Sequence, residues 1–333
     1  MRKFWKTAAL TLAVCIAAAG CSRTTGEIEM PASSPAPTAQ SPSGTGMPAI
    51  PQDLDTRNGM PLLTVYVVES DSYQEMDVES YVQGVLAGEM RNDWPMEALK
   101  AQAILARTFV LKFVSEKESK YGDADISTDI AEAQAYNESA INERIIRAVE
   151  ETRGMVLSSA GELPYAWFHA HSGGKTELAK AGLEYKDDEP AYTQIVDSME
   201  SDKAPTTVKN WTARFTTREV GEACAKTGVD AGAVETISIG ETGGSGRAIT
   251  LNVNGMTVSA PALRLALDST RFKSTMLSEV AVQDGEVVFR GSGYGHGVGM
   301  SQWGAYGLAE QGKTAEEIVR HYFKGVEIVS LWE

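Results

Sequence analysis

Between Gly291 and Gly299 every second residue is glycine, and no other stretch constrains the fold as tightly. Alternating glycine leaves one face of the segment without side chains and opens positive φ at each alternate residue. Two readings follow. The bare face is a track on which a sugar or peptide lies against the backbone, or it is a surface where two strands cross in tight packing. His296 at the middle of the run favours the first reading, as do Ser301, Gln302 and Trp303 just beyond it. They bring hydrogen-bonding groups and an aromatic plane to the same strip. A dinucleotide fingerprint is excluded, because neither Gly291-x-Gly293 nor Gly293-x-Gly295 has the third glycine at the required offset.

The N-terminus reads as an export signal. Met1–Thr7 carries Arg2, Lys3 and Lys6, Ala8–Ala19 is apolar apart from Thr11, and Ala18-Ala19-Gly20 precedes Cys21. Residues 1–20 therefore have the basic, apolar and small-residue regions of a secretory signal. The apolar run is too short for an ordinary membrane span. A cysteine directly after the small residues resembles a bacterial lipobox, which makes Cys21 the expected lipidation site. Residues 21–60 hold six of the twelve prolines among Ser, Thr, Ala and Gly. That composition has no apolar periodicity to offset ordering entropy, and it is expected to form a disordered tether to the outer face of the cytoplasmic membrane.

Residues 61–333 are expected to form the folded domain. With 30 Lys+Arg against 45 Asp+Glu, the formal charge is −15. Such acidity argues against nucleic-acid binding, which needs cations to displace counterions, and against a polybasic membrane patch. Cys224 has no internal disulfide partner, since Cys15 and Cys21 lie at the N-terminus. Apolar spacing predicts a strand at 62–68 and helices at 78–90, 97–118 and 142–152, with Asp77 capping the first of these. A strand at 165–170 and a helix at 216–227 follow, then strands from 234 to 289 with a short helix near 263–267. Helices at 302–310 and 315–323 and a closing strand at 326–329 complete the chain. Strands and helices without a regular βαβ rhythm predict an α+β fold, with mixed or antiparallel sheets, flanking helices and a substrate cleft.

Several residues carry candidate chemistry. Glu89 ends its helix among Val85, Leu86, Ala87 and Met90. A carboxyl in apolar surroundings has a raised pKa and can donate a proton near neutrality. Lys100 and Arg107 are seven apart on the next helix, so they share a face that lines an anionic or sugar groove, or forms a solvated stripe. Ser172-Gly173-Gly174-Lys175-Thr176 mimics the end of a phosphate-binding loop, but His169 stands where that motif demands glycine. The stretch remains a polar turn suited to a cleft edge. His169 and His171 would point to one face of a strand, with His296 as a possible third metal ligand. No HExxH motif or cysteine pair supports that zinc reading.

At this point the sequence resembles a known family. Ser80–Met90 (SYVQGVLAGEM), Trp94–Thr108 (WPMEALKAQAILART), Ser172–Glu177 (SGGKTE), Leu263–Phe272 (LRLALDSTRF) and Gly293–Ala305 (GYGHGVGMSQWGA) together look like the stage II sporulation protein D (SpoIID/LytB) domain, in order and over nearly all of the folded part. The resemblance implies a lytic transglycosylase that cuts peptidoglycan glycan between N-acetylmuramic acid and N-acetylglucosamine, typically on peptide-stripped strands. It places the catalytic acid at Glu89. Groove residues are then expected at Lys100, Arg107, Ser172, Gly173, Lys175, His296, Ser301 and Gln302.

Some members of that family carry Cys and His between the long helix and the next, where zinc sits. Here Asp125–Gln134 holds neither, so no metal and no cofactor is expected. His169 and His171 stand where the family often has small hydroxyl residues, which leaves their contacts open. One acid suits the implied reaction. A glycoside hydrolase needs two carboxylates, whereas the muramic 6-hydroxyl can itself attack and leave a 1,6-anhydro end. Two other readings remain: a glycan-binding enhancer of a cell-wall amidase, in line with the LytB-like relatives, and a zinc amidase built on His169, His171 and His296.

Overall fold

The computed structural model describes residues 46–52 and 54–333. The expected signal, the lipidation site Cys21 and most of the expected tether lie outside the described residues. The last part of that tether is packed structure. Leu54 is buried in the core, Ile50 packs against it, and Thr56–Arg57 pairs antiparallel with the start of the strand Met60–Val67. The few apolar residues among the prolines and glycines here suffice to dock the segment, so order begins before residue 61.

The fold is α+β. At its centre lie α1 (Val78–Glu89) and α2 (Met96–Glu116). Asp77 caps α1 by accepting from the Ser80 amide at 2.8 Å, which satisfies a helix-end donor that would otherwise lack a partner. Val78, Tyr81, Val82, Val85 and Leu86 are fully buried against Leu99, Ala103, Ile104 and Val110 of α2. Strand Met60–Val67 covers these helices, paired antiparallel with Ser72–Asp77 and parallel with Ile126–Ser127. The predictions missed Ser72–Asp77 because it is largely exposed and lacks apolar alternation. The helices Gln302–Glu310 and Ala315–Tyr322 pack on α2, and the closing strand Glu327–Ser330 pairs antiparallel with Met155–Ser158.

A second apolar cluster is built from residues 211–289 alone. One antiparallel sheet sets Glu286–Gly291 between Leu277–Gln283 and Trp211–Thr216; another joins Ile237–Ile239, Thr250–Val253 and Met256–Ser259. Phe272 and Phe289 stack at 4.4 Å within this core, and Cys224 is buried there as a free thiol.

Between Phe168 and Met300 the chain adds no fully buried residue to the first core, only the flanking Tyr192 and Val196, and Phe168 and Met300 are neighbours. Phe168–His169 pairs parallel with Met300–Ser301. The glycine track is the return passage, and almost all of it is buried. Thus the tight-packing alternative holds and the open sugar track does not. Gly299 shows why: its φ is +69°, and a Cβ would lie 2.0 Å from the Trp167 carbonyl oxygen. The same geometry shortens the strand expected at 165–170 to Phe168–His169. A partner with repeated positive φ offers isolated bridges, such as His171 to Tyr294, in place of a ladder. Among the described residues no helix is long and apolar enough to cross a membrane.

Candidate active site

Glu89 is the last residue of α1 and is 3% exposed. Its position follows from a small neighbour. A Cβ on Gly88 would lie 2.7 Å from the Tyr136 amide nitrogen, so glycine there lets residues 135–136 lie flat on the helix end. The Ala135 amide then donates to Glu89 Oε1 at 2.8 Å, and Gln302 Nε2 donates to Oε2 at 3.2 Å. Burial pushes the carboxyl up to about 7, while the hydrogen bonds from Ala135 and Gln302 hold it back. Desolvation wins because two neutral donors replace only part of the water a carboxylate loses. An acid with this pKa is partly protonated at neutral pH and can both give and accept a proton.

Glu89 opens onto a cleft of about 540 Å³. Ala87–Trp94, Asn137 and Ala140 line it together with Pro205, Thr207, Val208, Thr270, Lys273, Tyr294 and Trp303. Trp94 and Trp303 sit 4.4 Å apart, and Tyr306 packs edge-on against Trp94 at 5.2 Å. The other carboxylate on the lining, Asp93, is exposed and held by Arg91 at 2.6 Å. The hydrogen bond with Arg91 draws its pKa down, so it stays ionised and cannot share the role of Glu89. A smaller cleft of about 370 Å³ lies at the far end of α2, where Glu116 is committed to Lys112 and to the Tyr165 hydroxyl, each at 2.5 Å.

Of the expected groove residues, Gln302 reaches Glu89. The others line other parts of the molecule. Arg107 is fully buried and paired with Glu79 at 2.5 Å, and it also donates to the Met155 carbonyl at 2.9 Å. Trp332 Nε1 and the Gly154 amide complete the Glu79 carboxylate. This is an interior junction that ties α1 and α2 to the C-terminus, so neither the groove nor the solvated stripe describes Arg107. Lys100 is paired with Glu97 at 2.9 Å and with Glu151. Helical spacing correctly put the two residues on one side of α2, but that side faces the helix Glu143–Glu150.

Ser172 and Ser301 meet on Glu200, whose Oε1 accepts from the two hydroxyls at 2.6 and 3.0 Å. Ser301 also caps the helix Gln302–Glu310. The pair is a clamp across the chain crossing, and no sequence signal marked Glu200 as its centre. A Cβ on Gly173 would meet Ser292 Oγ at 2.8 Å, and Lys175 is exposed near Asp197 at 3.8 Å. His296 is buried: its Nδ1 accepts from the Val298 amide at 3.0 Å and its ring also bonds the Phe168 backbone. Burial, with Arg264 and Arg247 nearby, pulls its pKa down to about 3. His169 Nδ1 lies 3.1 Å from the Val298 carbonyl, and His171 Nδ1 accepts from the Gly173 amide at 2.9 Å. The His169 and His296 rings lie edge to face with centroids 5.5 Å apart. Among the described residues no group of three or more His, Cys, Asp or Glu side chains is arranged to hold a metal ion.

Comparison with known proteins yields two family matches. A Stage II sporulation protein family (SpoIID) matches residues 68–158, which carry α1, α2 and Glu89, and a Domain of unknown function (DUF8618) matches residues 164–299. The chain is 32% identical to Stage II sporulation protein D of Bacillus amyloliquefaciens over 281 residues, covering 79% of this chain and 77% of that protein. It is 30% identical to Stage II sporulation protein D of Bacillus subtilis (strain 168) over 285 residues, covering 80% of this chain and 78% of that protein. An amidase enhancer of Bacillus subtilis (strain 168) is 27% identical over 293 residues, covering 75% of this chain and 40% of the enhancer.

Proposed function

Because the chain belongs to the stage II sporulation protein D family, we propose that it works outside the cytoplasmic membrane as a cell-wall lytic transglycosylase, with Glu89 as its single acid and base. The observation that carries this reading is a buried carboxyl, raised to about 7, on the lining of a cleft of about 540 Å³ whose other carboxylate, Asp93, is exposed. The protonated Glu89 donates to the oxygen between N-acetylmuramic acid and N-acetylglucosamine, and the muramic C1–O bond breaks. Glu89, now a carboxylate, takes the proton from the muramic 6-hydroxyl as that oxygen bonds to C1. The product is a 1,6-anhydro end, the acid regains its proton, and no water is consumed. A retaining or inverting hydrolase would need a second carboxylate across the bond, and Asp93 is engaged by Arg91. Trp303, half-buried on the lining and backed by the buried Trp94, supplies apolar surface for a sugar ring.

The anchor belongs to the same proposal: lipidated Cys21 and a Pro-rich tether would hold the domain within reach of the wall. The test is mass spectrometry of glycan incubated with wild type and with Glu89→Gln. Wild type releases anhydro-muramic ends and the variant does not; equal release from both rejects Glu89. A second reading is supported by the likeness to an amidase enhancer. In it, the same cleft holds glycan without cutting it, and the protein stimulates a cell-wall amidase while yielding no anhydro ends.

A further inference from the structure

Resting on the reading of the cleft as a glycan site, we propose that Lys273 is its specificity-determining cation, recognising the free lactyl carboxylate of muramic acid and so selecting strands without stem peptides. A muramic residue bears an ionised carboxylate when its peptide is gone and a neutral amide when the peptide is attached. A protein with a formal charge of −15 repels an anionic strand unless the cleft itself supplies a positive group. The described cations on its lining are Arg91 and Lys273. Arg91 is neutralised by Asp93 at 2.6 Å. Lys273 Nζ donates to the Thr207 carbonyl at 2.7 Å, and that neutral contact takes one of its three N–H donors. Glu89, the remaining charged group on the lining, is largely protonated below its raised pKa.

The backbone beneath Lys273 is fixed. Its carbonyl accepts from the buried Arg264 Nε at 3.0 Å and from the Gly295 amide at 2.9 Å, and the preceding Phe272 is fully buried. Its stem also passes the Tyr294 ring, with Nζ 5.8 Å from the centroid. The ammonium is thus carried on a rigid support in the same cleft lining as Glu89, and an ionic hydrogen bond made there loses little to reordering. Partial burial lowers its pKa below that of a free lysine, so a carboxylate partner also restores part of the lost solvation of its charge.

Binding of the full chain carrying Glu89→Gln, which holds substrate without cutting, is measured by calorimetry on three ligands: peptide-free glycan, the same glycan with its lactyl carboxylates converted to methyl amides, and a chitin oligomer of equal length. Free carboxylates should bind about fivefold more tightly than either neutral ligand, the range of a partly exposed ion pair. Adding Lys273→Gln should erase that preference, and Lys273→Arg should keep it. Equal binding of the three ligands by the Lys273-containing protein overturns the proposal with no variant needed. Preference surviving Lys273→Gln overturns it too. If the preference depends on Lys273 but wild type yields no anhydro ends, the lytic reading fails while the carboxylate assignment stands.

Discussion

Replacing Glu89 with glutamine should change how stability depends on pH, in a direction the burial of this carboxyl dictates. In the folded chain its pKa is raised from 4.5 to about 7, while the unfolded chain keeps the ordinary value. As pH rises from 4.5 to 7 the unfolded state ionises and the folded state holds its proton. Stability contributed by the neutral carboxyl is therefore full below pH 4.5, declines between 4.5 and 7, and levels off above that. At about 1.4 kcal/mol per pH unit, the loss amounts to about 3 kcal/mol. The glutamine variant has nothing to titrate there. Its amide oxygen can accept from Ala135, and rotation of the Gln302 amide restores the second hydrogen bond. Urea unfolding of both proteins at pH 4.5, 6 and 8 isolates the effect, because other titrating groups cancel in the difference. Relative to wild type, the variant should gain about 3 kcal/mol from pH 4.5 to pH 8. Parallel stability curves, differing by a constant amount, would show that Glu89 is not held neutral by burial, and the proton chemistry assigned to it would fall with that result.

Two further outcomes follow from the same geometry. Gln302→Leu removes a donor that favours the ionised form of Glu89, so the midpoint at which activity declines with rising pH should move upward in a pH–rate profile on glycan. Arg107→Ala leaves the Glu79 carboxylate buried without its counter-ion and should cost about 3–5 kcal/mol in urea unfolding; a loss below about 1 kcal/mol would show the pair to be solvated.

Much of the secondary structure was legible because its causes are local. Asp77 caps α1, the turn at Asn92–Pro95 precedes α2, and apolar spacing marks both helices to within a few residues. Glu89 could be picked out by its apolar flanks, since a helix end surrounded by Val85, Leu86 and Met90 is poorly hydrated wherever it packs. Arg107 shows the limit of such reasoning. Its place on the helix was readable, but Glu79, Gly154 and Trp332 decide that this face is interior. The glycine track shows the same limit, because bare backbone accommodates a ligand and a neighbouring strand equally well.

The sequence alone determined the longer helices, the Asp77 cap, the acid with apolar neighbours and the alternating glycines, since each depends on residues a few places apart. Tertiary structure decided which surfaces those pieces share. Glu89 meets Gln302 across 213 residues, Lys273 comes to the same cleft lining next to Phe272 of the second core, and the chain crossing consumes the glycines. Contacts at that separation arise when apolar faces and a buried crossing pack together, and no local propensity encodes which distant partner fills the space.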